Sequence, residues 1–128
     1  MNLQLQGKSV LVTGASKGIG LACALAFAAE GAARVHIASR TEADLKTAAD
    51  SVRAKHKCEV VTHALDLGKS ADQQTLVQRC GDVDILVNNA GAIPSGGILD
   101  VNEERWRAAW DLKVFGFINL TREVYRRD

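Results

Sequence analysis

The sequence is poor in proline and cysteine and contains no long hydrophobic run. A single proline among 128 residues argues against a disordered or low-complexity chain, which is usually enriched in proline. The longest apolar stretch, residues 21–29, is far shorter than the roughly 20 residues that a membrane helix needs. The chain does not open on a cationic segment followed by an apolar one, so we expect no signal peptide and a cytoplasmic location.

The few cysteines and histidines lack the spacing of a metal or disulfide motif. The cysteines are Cys23, Cys58 and Cys80, and the histidines are His36, His56 and His63. An odd number of cysteines without a CxxC pair disfavours both a disulfide framework and a zinc site. We therefore expect no metal, and we interpret each histidine as a surface or strand residue.

The chain also lacks an excess of charge of either sign. Sixteen Lys and Arg residues against 15 Asp and Glu residues leave a net charge of +1. Such a balance provides no basic face for nucleic acid or for an anionic membrane, so we expect neither as a partner. The length and the 47% content of hydrophobic residues are typical of one globular domain, here residues 1–128.

What the sequence does contain is an alternation of apolar strands and helices. We predict strands at residues 8–13, 34–39, 59–65 and 83–88, and helices at residues 19–30, 41–55, 70–80 and from 102 to the last residues. Thr41 with Asp44 and Ser70 with Gln73 fit capping boxes, Asn102 fits a helix N-cap, and Gly31 fits a helix C-cap. This order predicts an α/β fold with a parallel sheet covered on both faces. If the strand order is 3-2-1-4, the fourth strand lies at an apolar edge.

A glycine-rich turn, TGASKGIG at residues 13–20, joins the first strand to the first helix. Glycine permits a sharp turn and a close approach of backbone N–H groups to a phosphate, and the helix N-terminus adds free N–H groups and a positive dipole end. The spacing is not that of a P-loop, because no Gly-Lys-Ser/Thr run follows. We predict that the turn binds a dinucleotide phosphate, with a ligand-free tight turn as the alternative. The predicted residues are Gly14, Ser16, Lys17, Gly18, Ile19 and Gly20.

The end of the second strand indicates which dinucleotide is bound. An acidic residue about 20 residues beyond the glycines usually binds the ribose 2′-hydroxyl of NAD. Ser39 and Arg40 stand there instead. Serine does not repel a 2′-phosphate, and Arg40 can bind one bidentately with Lys17 as a second cation. We predict NADP in preference to NAD; the alternative is that both cations are solvated surface charges.

The glycine turn, followed by Asn88-Asn89-Ala90-Gly91, resembles the classical short-chain dehydrogenase/reductase family. The resemblance extends over essentially all 128 residues and matches the N-terminal half of a family member. It implies a Rossmann-type doubly wound parallel sheet in three α/β/α layers, truncated in this chain. It also implies NADP-dependent hydride transfer between nicotinamide and a carbonyl or alcohol substrate.

The resemblance extends the candidate site to the ends of the third and fourth strands. Asp66 then has two interpretations, an adenine-binding residue or a turn aspartate, and both stay open. The implied placements are Asp66 near the adenine, Leu67 beside its ring, Asn88 as a tie between strands, Ala90 and Gly91 behind the ribose, and Ile93 near the nicotinamide.

The family's catalytic serine and Tyr-x-x-x-Lys pair belong to its C-terminal half and have no match in this chain. The only tyrosine, Tyr125, lies too early and has no residue 129 to serve as its lysine. We therefore expect this chain by itself to be inactive. A non-catalytic dinucleotide-binding module and a self-associating fragment are the alternatives.

The last predicted helix carries two further features. Lys113 occupies a position where the family usually has an asparagine that assists a proton relay. Helical spacing places Lys113 along a stripe with Trp106, Trp110 and Phe117, so its side chain either snorkels or points into the cleft. By resemblance this helix belongs to a subunit interface, so we expect a homo-oligomer; core packing of the tryptophans is the alternative.

Overall fold

A computed structural model describes residues 2–91 and 95–127 of the protein. The alternation of strands and helices predicted from the sequence is confirmed. The elements are β1 (Ser9–Thr13), α1 (Gly18–Ala29), β2 (Arg34–Ser39), α2 (Glu42–Lys55), β3 (Glu59–Ala64), α3 (Ser70–Cys80), β4 (Ile85–Val87), α4 (Glu103–Trp110), a π-helical turn (Asp111–Phe115) and α5 (Gly116–Arg127). Among the described residues, no helix is both long and apolar enough to cross a bilayer.

The four strands form one parallel sheet, as predicted, and their order in the sheet is β3-β2-β1-β4. β1 lies between two neighbours, with Val10 opposite Val35 of β2 and Ile85 of β4. β4 is shorter than the predicted strand at residues 83–88. Its entry is fixed by Ser9 N, which donates to Asp84 Oδ2 (2.8 Å), and by Asp84 N, which donates to Ser9 O (2.9 Å).

Helices cover both faces of the sheet, which gives the three layers expected of the fold. Successive residues of a strand point to opposite faces, so Val12 and Leu11 belong to different cores. On one face Val12, Val35 and Ile37 pack with Ala24 of α1 and Leu45 of α2. On the other face Leu11 and Ala38 pack with Leu76 of α3 and Leu120 of α5.

The end of α1 follows its sequence signal. Gly31 has a φ of +95°, a left-handed conformation that glycine adopts without steric cost. Its N–H donates to Ala28 O (3.2 Å), and Ala32 N donates to Phe27 O (3.1 Å). These two bonds form a Schellman motif, so the predicted glycine C-cap is confirmed.

The two predicted capping boxes are not formed. Thr41 is the N-cap of α2, but its side chain makes no capping hydrogen bond. Ser70 lies inside the first turn of α3, and Lys69 holds the N-cap position. The buried Gln73 side chain instead donates to Leu67 O (2.8 Å) and accepts from Asn119 Nδ2 of α5 (2.8 Å). A tertiary contact has therefore replaced the local one.

The last helix starts as predicted, because Asn102 Oδ1 accepts from Arg105 N (2.9 Å). It is interrupted by the π-helical turn, which inserts residues into the regular helical spacing. Trp106 and Trp110 are 38% and 55% exposed. The described residues therefore do not bury the tryptophans in a core of this chain, contrary to the packing alternative.

Candidate functional site

The candidate site is a cleft at the carboxyl edge of the sheet, where β1 has β2 on one side and β4 on the other. Ligands bind at this switch point in open α/β sheets. The cleft has a volume of about 480 Å³, within the range of small-molecule sites. The cleft is lined by nine of the residues predicted from the sequence: Gly14, Ser16, Lys17, Ile19, Ser39, Arg40, Leu67, Ala90 and Gly91.

Gly14 is held between the ends of two neighbouring strands. Its φ is +65°, and its N–H donates to Ala38 O of β2 (2.8 Å). A Cβ at this position would lie 2.8 Å from Ala90 Cα, closer than nonbonded carbons pack. Glycine is therefore required both by the backbone conformation and by the approach of the segment after β4.

Gly18 and Gly20 shape the turn without lining the cleft. Gly18 has a φ of +61° and open space around it, so its role is conformational. A Cβ on Gly20 would overlap the carbonyl oxygen of Gly14 and lie 2.7 Å from Asn89 Nδ2. The missing side chain lets α1 lie directly against the turn.

The N-terminus of α1 presents unpaired donors to the cleft. Lys17 is the extended N-cap residue, no side chain caps the helix, and its first turn contains no acidic residue. The first N–H groups of a helix have no partner within the helix, and its dipole makes this end positive. Together with the exposed ammonium of Lys17, this arrangement suits an anion.

A hydrogen-bond network between β1 and the segment after β4 was not predicted from the sequence. The fully buried Thr13 Oγ1 accepts from Asn89 N and Ala90 N, both at 3.0 Å, and donates to Val87 O (3.3 Å). Asn89 Nδ2 donates to Gly14 O (3.2 Å). The sequence did contain one signal for this network: Thr13 is a polar residue at the end of a mostly apolar strand.

The side chain of Asn88 does not have the expected role of a tie between strands. Its Nδ2 donates to Thr121 Oγ1 of α5 (2.9 Å), and the residue does not line the cleft. Neighbouring side chains at a strand end point to opposite faces. Asn89, not Asn88, therefore faces β1 and ties the two strands together.

On the predicted adenine side, Leu67 is buried and lines the cleft, whereas Asp66 does not line it. Asp66 Oδ1 accepts from Gly68 N (3.0 Å), and Asp66 N donates to Asp72 Oδ2 (2.8 Å). These are the bonds of the turn aspartate that was left open as an alternative. Contact of Asp66 with adenine stays a prediction.

The predicted 2′-phosphate side holds two cations and one unexpected carboxylate. Ser39, Arg40 and Lys17 line the cleft, and so does Asp44 from the first turn of α2. Within residues 2–91 and 95–127, neither Arg40 nor Lys17 forms an ion pair. Both cations therefore remain available to an anion, with Asp44 as an opposing charge.

Lys113 lies at the rim of the cleft. A Cβ on Gly91 would lie 3.4 Å from Lys113 Cδ and 3.5 Å from its Nζ, and Nζ lies 4.9 Å from the centre of the Phe117 ring. The side chain thus crosses from the π-helical turn towards the segment after β4. Ile93, expected near the nicotinamide, lies outside the described residues.

Comparison with known proteins connects this geometry to an enzyme family. The family model described as short chain dehydrogenase matches residues 8–127. The uncharacterized oxidoreductase YvaG of Bacillus subtilis is 38% identical over 124 residues, which are 95% of this chain and 46% of YvaG. The chain spans about half the length of the curated relatives it matches.

Solved structures agree with this comparison. L-sorbose reductase from Gluconobacter frateurii, complexed with NADPH and L-sorbose, matches with a TM-score of 0.92 and 34% identity over 99% of this chain and 49% of its own. A short chain dehydrogenase from Burkholderia cenocepacia in complex with NADP matches with a TM-score of 0.88 and 31% identity over 95% of this chain and 51% of its own.

Proposed function

The chain belongs to the short chain dehydrogenase family, and on that premise we propose that its cleft binds NADP for an oxidoreductase reaction. The observation that carries the proposal is the cleft itself, where an uncapped helix N-terminus, Lys17 and Arg40 meet beside Ser39. Solved relatives with NADPH or NADP bound, at 31–34% identity, support the same cofactor.

The reaction we propose is hydride transfer between the nicotinamide and a carbonyl or alcohol substrate. The cofactor supplies the hydride chemistry, and this chain's residues would hold and orient it. Gly14, Ser16 and the first turn of α1 would receive the pyrophosphate, while Ala90 and Gly91 would lie behind the ribose. Lys113 lies beside Gly91, which is in the segment that leads to the predicted nicotinamide site.

We propose that this chain by itself binds the cofactor without turnover. The Tyr-x-x-x-Lys pair that the family uses as general acid–base and its partner is not among the 128 residues. Binding of NADPH without its oxidation in the presence of carbonyl substrates is the expected result. Steady-state oxidation of NADPH by the 128-residue chain would overturn this part of the proposal.

We also propose a cytoplasmic homo-oligomer. The three cysteines are unpaired within the described residues, which fits a reducing compartment. On the last helix, Trp106, Trp110 and Phe115 line a shallow groove and are each more than a third exposed. Exposed aromatic residues on one helix face are typical of a protein interface.

The cofactor proposal is tested by titrating the chain with NADPH and with NADH and following cofactor fluorescence. Arg40→Ala should weaken NADPH binding about tenfold, or about 1.4 kcal/mol, because a charge-assisted hydrogen bond to the 2′-phosphate is lost. NADH binding should change less than about twofold, since NADH lacks that phosphate. Asp44→Asn should strengthen NADPH binding, because it removes the opposing charge.

Lys46→Ala is the matched control. Lys46 is an exposed cation on α2 that does not line the cleft, so its removal should leave both affinities within about twofold at physiological salt. Equal weakening of NADPH and NADH by Arg40→Ala would refute a 2′-phosphate role. Tighter binding of NADH than of NADPH by the unmodified chain would refute the choice of NADP.

A further inference from the structure

Three metal-ligating side chains converge in the core, away from the cofactor cleft. His36 lies on β2, His63 on the neighbouring β3, and Cys80 is the last residue of α3. They are 2%, 3% and 5% exposed, and none of them lines the cleft. Histidine is uncommon as a fully buried residue, so two of them beside a cysteine require an explanation.

The possible ligand atoms lie close together. His36 Nδ1 is 2.9 Å from His63 Nε2, Cys80 Sγ is 3.7 Å from the same His63 nitrogen, and all the ligand atoms fall within 4.8 Å of one another. The two imidazole rings are stacked, with centroids 5.2 Å apart and planes inclined by 28°. The side chains therefore point to a common centre.

Hydrogen bonding alone does not satisfy this cluster. His63 Nε2 carries either one hydrogen or one lone pair, so it cannot fully serve both His36 Nδ1 and the Cys80 thiol. Burying polar atoms with incomplete partners costs stability, and a cation that receives three lone pairs would remove the competition at His63.

The protonation states favour the histidines as ligands. Burial, with smaller contributions from His36 and Arg79, lowers the pKa of His63 to about 4. Burial, with a smaller contribution from Arg34, also lowers the pKa of His36. Both imidazoles are therefore neutral near pH 7 and can donate a lone pair, as metal ligation requires.

We propose that His36 Nδ1, His63 Nε2 and Cys80 Sγ together bind one Zn²⁺ ion. Tetrahedral Zn²⁺ with bonds of about 2.0–2.1 Å to nitrogen and 2.3 Å to sulfur places its ligand atoms roughly 3.3–3.6 Å apart. Two observed separations, 2.9 and 3.7 Å, lie on either side of that spacing, and the third pair, His36 Nδ1 and Cys80 Sγ, lies within 4.8 Å. Modest side-chain shifts are therefore enough to admit the ion.

Binding exchanges a proton for the metal. Burial raises the pKa of the Cys80 thiol to about 12, opposed by the nearby Arg127, so the free site holds the thiol form. As the Zn–S bond forms, the S–H bond breaks and its proton goes to solvent. No oxidation or reduction takes place.

The proposed site supplies three protein ligands, so a water or hydroxide that enters with the ion would complete its tetrahedral coordination. The site is closed to solvent, and it would join two strands to the end of α3 on the sheet face that also holds Ala38. A bound ion would therefore brace β2, which ends at the cofactor-facing Ser39. Arg79 and Arg127, the cations that act on His63 and Cys80, would limit the affinity by repulsion.

The test is a Zn²⁺ titration of the reduced full chain, in competition with a chromophoric chelator. One ion should bind per chain, and Cys80→Ala should weaken binding at least about 100-fold, because one of three ligands is lost. The matched control is the triple variant Cys23→Ala, Cys58→Ala, His56→Gln. It removes every cysteine and histidine outside the proposed site and should bind as the parent does.

Circular dichroism establishes that each variant is folded. In the triple variant Cys80 is the only thiol, so a thiolate-to-cobalt charge-transfer band with Co²⁺ supports the proposal even if Cys80→Ala does not fold. A folded parent that binds no Zn²⁺ overturns the proposal. So does a folded Cys80→Ala variant with parental affinity, or a triple variant that loses binding, since a surface site would then hold the ion.

Discussion

Replacement of Gly20 by alanine sets helix propensity against tertiary packing. Gly20 is the third residue of α1, and in an isolated helix glycine is about 1 kcal/mol less favourable than alanine. Propensity alone therefore predicts that Gly20→Ala stabilises the protein. The tertiary structure predicts the opposite, because the new Cβ would overlap the backbone carbonyl of Gly14.

The size of the destabilisation follows from the atoms that the new Cβ would displace. Overpacking usually costs about 1–3 kcal/mol, and the upper end applies here because the obstacle is backbone. Asn89 Nδ2, which donates to Gly14 O, lies only 2.7 Å from the added Cβ, so about 1 kcal/mol of hydrogen bonding is also at risk. These costs of about 4 kcal/mol, less the gain of about 1 kcal/mol in helix propensity, leave an expected net loss of about 3 kcal/mol.

The assay is thermal unfolding followed by circular dichroism. For a chain of this length 1 kcal/mol corresponds to about 4 °C in Tm, so Gly20→Ala should unfold about 12 °C lower. NADPH binding should weaken as well, because the shifted turn carries the N–H groups proposed for the pyrophosphate.

Two control variants separate the packing effect from helix propensity and from backbone conformation. Ala22→Gly, at an exposed position of the same helix, should cost about 1 kcal/mol from propensity alone. Gly18→Ala meets no atom within 4 Å but requires a φ of +61°, so it should cost about 1–2 kcal/mol from conformation alone. An unchanged or raised Tm for Gly20→Ala would refute the packing argument.

Two further predictions concern the strand network and the exposed helix face. Thr13→Val should destabilise the fold by about 2 kcal/mol in urea unfolding, because Asn89 N and Ala90 N lose their acceptor inside the core. Thr13→Ser keeps the hydroxyl and should recover most of that loss. A Thr13→Val variant with the stability of the parent would contradict this role of Thr13. Trp110→Ala should shift sedimentation towards monomer and leave Tm within about 2 °C, since the side chain is 55% exposed; unchanged self-association would remove Trp110 from the interface.

The local features of this protein could be read from its sequence. Short apolar strands that alternate with helices require a sheet covered on both faces, and the parallel sheet was anticipated. The glycine turn was recognisable because its glycines stand close together in the chain, between a predicted strand and a predicted helix. The glycine C-cap at Gly31 and the N-cap at Asn102 depend on bonds within a few residues and were also anticipated.

Features that depend on which side chains meet across the sheet could not be predicted from local sequence patterns. Asn88 and Asn89 are chemically identical, and only the alternation of faces at the end of β4 decides that Asn89 reaches Gly14. Ser70 and Gln73 have the pattern of a capping box, yet Gln73 is taken up by Leu67 and α5. Local patterns predict local bonds, and a buried tertiary partner can displace them.

The sequence by itself determined the fold class and a glycine-rich turn between the first strand and the first helix, because each rests on periodicity or on a few adjacent residues. Only the tertiary structure placed Asp44 in the cleft and brought His36, His63 and Cys80 together. Those three residues are separated by 27 and 17 positions along the chain. Their proximity follows from parallel pairing of β2 with β3 and the return of α3 over the same face, which no local pattern encodes.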